Sequence, residues 1–243
     1  MRIGLLLCGE TPEALQPEFG TYADCLTKRF QLYGSQAQVR SWHVWQGEMP
    51  DDVLAADAYV VGGSPASVMD RAVWIDRLSG FIRQAHRARR RLLGICFGHQ
   101  VIHHALGGMV ERAAGGWGLG VYPVQVCHSL PGLAPRKTLT LPAMHRDQVV
   151  RPAMGLRRYA GTDICPYYLM GHTTKILTIQ GHPEFTTDFL RAFLHVARDR
   201  FDVDVLARAT SSLKTPTDSL AMCQAINRFL LEEVGPLKKK GEP

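Results

Sequence analysis

Arg91-Leu92-Leu93-Gly94-Ile95-Cys96-Phe97-Gly98-His99-Gln100-Val101-Ile102-His103-His104-Ala105-Leu106-Gly107-Gly108 passes from a strand pattern to a helix pattern across a single cysteine. Arg91–Ile95 is an apolar run of strand length, and from Val101 to Leu106 apolar residues recur at helical spacing until Gly107-Gly108 stops them. Between them lies a glycine-flanked turn, Gly94 to Gln100. A side chain on such a turn is thrust out at the sheet edge, and its neighbours must be small so that helix and substrate approach closely. The helix that begins there aims its unpaired N–H groups and positive dipole end at the sulfur, the setting of a reactive cysteine. Strand, sharp turn and helix in this order predict an α/β fold with Cys96 as candidate nucleophile.

A nucleophilic thiol needs a base and a group that orients the base. Lys175-Ile176-Leu177-Thr178-Ile179 reads as a strand, and Gln180-Gly181-His182-Pro183-Glu184-Phe185 follows at its C-terminal end. In an open parallel sheet the carboxyl ends of the strands form the active edge, so both motifs are expected on one edge. Pro183 fixes the local backbone, and Glu184 is placed to hold the His182 imidazole in the tautomer that accepts the thiol proton.

Gly-x-Cys-x-Gly-x-Gln with His-Pro-Glu far downstream resembles the class I, or triad, glutamine amidotransferases. The resemblance extends to Val60-Val61-Gly62-Gly63-Ser64-Pro65 and to Met144-His145-Arg146-Asp147-Gln148-Val149, and so covers most of the chain. It implies a flavodoxin-like architecture, a mostly parallel central sheet flanked by helices and carrying a nucleophile elbow. It further implies cleavage of the γ-amide of glutamine through a γ-glutamyl thioester on Cys96, with His182 and Glu184 completing the catalytic triad. The backbone N–H groups of Gly63 and Phe97 then form the oxyanion hole. Gly62, Gln100, His145, Arg146 and Asp147 fall on the substrate side. Where family members commonly present a small residue and a glycine, this chain has Met144 and Arg146. A cationic Arg146 at the mouth is suited to a carboxylate on something larger than free glutamine.

Blander readings stand beside these. Cys8, Cys25, Cys127, Cys165 and Cys223 read as ordinary structural cysteines. Gly62-Gly63 also suits a plain tight turn, and Gln100 a helix-surface amide. His99 and His103 lie four apart, as in a metalloprotease helix, but Gln100 stands where that motif needs glutamate, so no metal is assigned. No cofactor is expected. Trp117, among glycines, reads as a loop residue able to cover the pocket or as a strand-edge aromatic.

At 243 residues with 46% hydrophobic content the chain is expected to form a single domain, residues 1–243, with 201–243 a C-terminal helical extension and tail. The net charge of +6 is modest. Arg87, Arg89, Arg90 and Arg91 suit a helix C-terminus, Lys238-Lys239-Lys240 a tail, and neither has the aromatic interleaving of a nucleic-acid groove, so no nucleic-acid partner is expected. Six cysteines without C-x-x-C spacing suit a reducing compartment. No run approaches membrane-spanning length, and Ile3–Cys8 reads as a first strand rather than a signal. A cytoplasmic protein without membrane contact is expected.

Patterning predicts strands Arg2–Leu7, Gln38–Val44, Ala58–Val61, Leu92–Ile95 and Ile176–Ile179, and helices Thr21–Leu32, Val73–Arg89, Thr186–Arg200 and Asp218–Glu233. A β-rich middle is expected at Leu119–Val126, Lys137–Leu141, Leu156–Tyr159 and Tyr168–Met170. The 59 residues after Glu184 are too few for a synthetase domain, and no P-loop is present. Three functions fit: a glutaminase that hands ammonia to a separate synthetase subunit, a γ-glutamyl peptidase using the same thioester on a small γ-glutamyl compound, and a non-catalytic regulatory subunit.

Overall fold

The computed structural model describes residues 1–32, 37–172 and 175–231. In chain order it runs β1 (Arg2–Leu7), α1 (Gln16–Phe19), α2 (Tyr22–Arg29), β2 (Gln38–His43), β3 (Ala58–Val61), α3 (Val73–Arg87), β4 (Arg91–Ile95), α4 (Phe97–Ala105), β5 (Met109–Arg112), β6 (Gly118–Val126), β7 (Thr138–His145), β8 (Asp147–Arg151), β9 (Arg157–Gly161), β10 (Leu169–His172), β11 (Ile176–Ile179), α5 (Thr187–Val196), α6 (Val203–Ser212) and α7 (Ser219–Leu231). Lys238-Lys239-Lys240 and the last two residues of the expected final helix lie outside the described residues.

A nine-stranded sheet in the order β2-β1-β3-β4-β11-β10-β9-β6-β7 organises the molecule. The half from β2 to β11 is parallel throughout. Beyond it β10 and β6 run against the other strands. The fold is thus α/β with a large, mostly parallel sheet, as expected. The continuous apolar runs of β1, β3, β4 and β11 follow from burial on both faces. Ile3, Leu5, Val60, Leu93 and Ile95 face a core shared with α2, α5 and α7. Leu6, Tyr59, Val61 and Leu92 face α3 and α4 on the other side. Each fully buried leucine or isoleucine contributes about 1.5–3 kcal/mol.

Local signals set several boundaries. Thr21 caps α2, with Asp24 returning the bond to its N–H in a capping box, and the helix ends at Arg29, short of the expected Leu32, where Gln31 turns to φ 53°. Gly107, at φ 88°, ends α4 in the left-handed conformation where the Gly107-Gly108 stop was expected.

Three features depart from the sequence reading. The run expected as one helix over Thr186–Arg200 stops at Val196 and tightens to a 3-10 turn at Arg198–Arg200. This brings Phe201 edge-on to Trp117, ring centroids 5.0 Å apart. A separate helix, α6, follows and packs Ala209 and Leu213 with Val121. Strand β7 continues past Leu141 to His145, and β8 pairs with β5 in a small second sheet. The substrate-side segment Met144–Asp147 is therefore the tip between two strands rather than a free loop.

Candidate active site

Because β3, β4 and β11 are adjacent, their C-terminal ends deliver Gly62-Gly63, Cys96 and Gln180–Glu184 to one place. Cys96 sits between β4 and α4 at φ 52°, ψ −105°, a conformation costing about 1–3 kcal/mol. Its N–H donates to Ile179 O at 2.8 Å and its carbonyl accepts from Gln100 N at 3.1 Å, which locks the strained turn between β11 and α4. The flanking glycines are there for contact. A Cβ on Gly94 would lie 2.5 Å from Gly98 O, and one on Gly98 1.9 Å from Val61 O.

His182 Nδ1 and Glu184 Oε1 are 2.7 Å apart, both residues buried. The Nε2 edge of the ring is left for Cys96, whose charge the imidazole senses and whose Sγ lies 3.6 Å from Met144 O. Burial alone would push His182 down, but the charges of Glu184 and Cys96 outweigh it and raise the imidazole to about 10. The sign follows. A histidine held up from about 6.5 contributes stability fully present below pH 6.5 and lost as pH rises through about 10. Glu184→Gln removes the leading raising charge while burial remains, so the His182 titration should move down in an imidazole NMR titration. An unmoved titration would exclude the ion pair.

Two neighbours escape the sequence reading. Tyr22, at the start of α2, accepts the Gly63 N–H at 2.9 Å and donates to Glu184 Oε1 at 3.0 Å. Burial first, then the Glu184 charge, holds its phenol well above the usual range, so it remains a donor. Nothing local marks it, because the contact spans 162 positions. Gln180 is fully buried and directs Nε2 at Cys96 Sγ, 3.7 Å away. Its position at the end of β11 was the available signal.

The expected site residues fall into distinct settings. Gly63 lines the cleft, although its N–H is held by Tyr22. Gly62 lies behind it, its N–H bonded to Leu6 O at 3.0 Å and its Cα against the Tyr22 ring. Phe97 opens α4, where a backbone N–H lacks an intrahelical acceptor, and its side chain is buried. Gln100 lines the cleft and its Nε2 donates to Asp147 O at 2.7 Å. His145 is a wall with both nitrogens engaged, by the Tyr122 hydroxyl at 2.9 Å and Asp147 O at 3.2 Å. Burial drives it down to about 4, so it is neutral at physiological pH. Asp147 pairs with Arg112 at 3.3 Å, and Arg146 stands exposed over Trp117, 5.9 Å from the ring centroid.

His99 and His103 pack edge to face, ring centroids 4.7 Å apart. His103 is engaged by the Thr178 hydroxyl at 3.2 Å and by Ala153 N at 3.0 Å, and its buried ring is pushed down to about 4. All six cysteines are free. Among the described residues no helix is long and apolar enough to cross a membrane.

Around the sulfur opens a cleft of about 570 Å³, within the range of about 300–1,000 Å³ typical of small-molecule sites. Phe185, stacked on His182 at 5.0 Å, begins an aromatic wall that continues through Phe189, Phe193 and Phe201. The spacing Phe185, Phe189, Phe193 is a one-turn repeat that was readable in the sequence.

A thiol, an imidazole and a carboxylate are thus gathered at the C-terminal edge of the sheet. Residues 17–193 match the family model for glutamine amidotransferase class-I, and the chain belongs to that family. It is 27% identical to gamma-glutamyl peptidase 2 of Arabidopsis thaliana over 88% of both chains. It is 36% identical to one subunit of the glutamine-hydrolyzing GMP synthase of Methanosarcina barkeri, over 55% of this chain and 68% of that one. A glutamine amidotransferase from Thermotoga maritima shares the fold, with a TM-score of 0.73 and 16% identity over 95% of this chain and 98% of that one.

Proposed function

We propose that this chain hydrolyses the amide of a γ-glutamyl group through a thioester on Cys96. The observation that carries the reading is that Cys96 and His182 line one cleft, with His182 Nδ1 held 2.7 Å from Glu184 Oε1 behind it. His182, held up to about 10, already carries the thiol proton before the attack, and gives it to the departing nitrogen as Sγ adds to the γ-carbonyl and the C–N bond breaks. Water adds to the thioester with His182 as base, and glutamate leaves as the thiol is restored. Glu184 and the Tyr22 hydroxyl hold the imidazole in register. The N–H of Phe97 faces the tetrahedral oxyanion, joined by that of Gly63 when Tyr22 releases it. Gln100 and the Met144–Asp147 tip border the glutamyl portion.

The size of the cleft favours a γ-glutamyl amine, as in the relative named a peptidase, over glutamine itself. Glutaminase activity feeding ammonia to a separate synthetase is the second reading, supported by the likeness to GMP synthase. Six free cysteines, Cys96 among them, suit a reducing, cytoplasmic setting. The test is release of free amine and glutamate from γ-glutamyl-alanine, α-glutamyl-alanine and glutamine. The γ-linked dipeptide should exceed glutamine by about ten-fold or more in kcat/KM, a gap of about 1.4 kcal/mol in transition-state binding, and the α-linked one should be inert. Preference for glutamine would favour the synthetase partner. Silence on every substrate would overturn the hydrolytic reading and leave a regulatory role.

A further inference from the structure

The cleft does not end at the chemistry. Beyond Phe189 it is walled by the half-buried rings of Phe193, Phe201 and Trp117 with the exposed Arg200 beside them, and the exposed Arg146 lines the cleft where this wall meets the Met144–Asp147 tip. Trp117 meets Phe201 edge-on at 5.0 Å, and Arg146 covers Trp117 at 5.9 Å. Arg112, the third arginine on this wall, is paired with Asp147, whereas among the described residues neither Arg146 nor Arg200 has a carboxylate within ion-pair distance. Half-buried aromatic faces next to unpaired cations are complementary to an aromatic group that carries an anion.

We propose that this outer half is the leaving-group subsite and takes an aromatic amino acid, bearing a free carboxylate, joined by its amine to the γ-glutamyl group. The assignment rests on the hydrolytic reading above and specifies its substrate. A γ-glutamyl dipeptide has two carboxylates, one at each end, and the wall offers two unpaired arginines. Arg146, on the tip beside Asp147, takes the glutamyl end. Arg200, adjoining Phe201, takes the carboxylate of the leaving amino acid, whose ring packs on Phe201 and Phe193. The reaction is the one already written, with the proton from His182 passing to the amine of the aromatic amino acid.

The test compares γ-glutamyl-phenylalanine, γ-glutamyl-glycine and γ-glutamyl-phenethylamide, the last retaining the ring without the carboxylate. In the wild type kcat/KM should be about ten-fold or more higher for the phenylalanine compound than for the glycine compound. In Arg200→Ala the ratio of phenylalanine compound to phenethylamide should collapse, and in Phe201→Leu the ratio of phenylalanine to glycine compound, chiefly through KM. Both changes are at sites where surface or volume is largely kept. Equal rates for the phenylalanine and glycine compounds, or ratios unmoved by both substitutions, overturn the subsite and leave the hydrolytic reading intact. No turnover of any γ-glutamyl compound overturns that reading instead. Calorimetric titration of the Cys96→Ala protein then still decides the subsite, since tighter binding of γ-glutamyl-phenylalanine than of γ-glutamyl-glycine supports it and equal binding refutes it.

Discussion

Cys96→Ala lowers glutamate release from any γ-glutamyl substrate by about 10⁴-fold or more, the scale of loss when a covalent nucleophile is removed. The expectation is this large because the side chain supplies the bond that divides the reaction into two steps, and no neighbour replaces it. His182 retains Glu184 and Tyr22 but has no thiol to deprotonate, and Gln180 carries no nucleophilic atom. Cys96→Ser keeps a hydroxyl in the same strained turn and should also lose most turnover, because the imidazole arranged for a thiol must then ionise a much weaker acid. Both variants should fold, since the φ of 52° is imposed by backbone bonds to Ile179 and Gln100 rather than by the sulfur. The direct check is mass spectrometry of protein quenched during turnover. A γ-glutamyl adduct on the wild type and none on Cys96→Ala is the expected result, and full activity of the alanine variant would remove Cys96 from the chemistry.

Gly98→Ala should be the most damaging glycine-to-alanine change among the described residues. Its Cβ would stand 1.9 Å from the carbonyl oxygen of Val61, a backbone atom at the end of β3 that cannot rotate away. Either α4 lifts from the sheet or β3 bends, and each displaces the Cys96 turn from the Gly63 loop. A cost of about 3 kcal/mol or more is expected, enough to lower the melting temperature by roughly 6–12 °C in a chain of this size, together with loss of activity. Gly80, within α3, is the control. Its nearest neighbour would be the mobile end of Arg83 at 3.8 Å, so Gly80→Ala should stabilise by about 0.5–1 kcal/mol and leave turnover alone. Paired thermal melts of the two variants check both signs, and a Gly98→Ala melt equal to the wild type would mean that the packing of α4 on β3 is looser than described.

What was legible in the sequence was what local backbone geometry dictates. The glycines around Cys96, Pro183 between His182 and Glu184, and the unbroken apolar runs of β3, β4 and β11 each express a constraint within a few residues, and their common sheet edge follows from strand polarity. Contacts made across the chain left no such trace. Tyr22 is one tyrosine at a helix start until folding brings it against Glu184. Strands β5 and β8 carry Glu111, Arg112, Asp147 and Arg151, so they show no apolar alternation. Helix α6 sets Leu206 and Ala209, with Leu213 just beyond, at helical spacing against Val121, a short stripe that was legible but too brief to be read as a helix of its own. The end of α5 was missed for another reason. Ala197-Arg198-Asp199-Arg200 contains good helix formers, and what stops the helix is the seat that Trp117 and Phe193 provide for Phe201.

The seam in the central sheet has a consequence for how such a molecule can change. Cys96, His182 and the Gly63 turn hang from neighbouring parallel strands, whereas Trp117 and the Met144–Asp147 tip hang from β6 and β7, on the far side of the reversal at β10, and from β8 of the small second sheet. Bond cleavage and recognition are thereby carried by separate stretches of backbone, tied to each other by the hydrogen bonds from His182 N–H to Pro142 O at 2.8 Å and from Gln100 Nε2 to Asp147 O at 2.7 Å. The distal strands and the α5–α6 corner can be lengthened or recoloured in charge while the proton-transfer apparatus keeps its register, provided that Pro142 of β7 still accepts the His182 N–H, so selection for a new amine need not disturb the thiol that cuts it free.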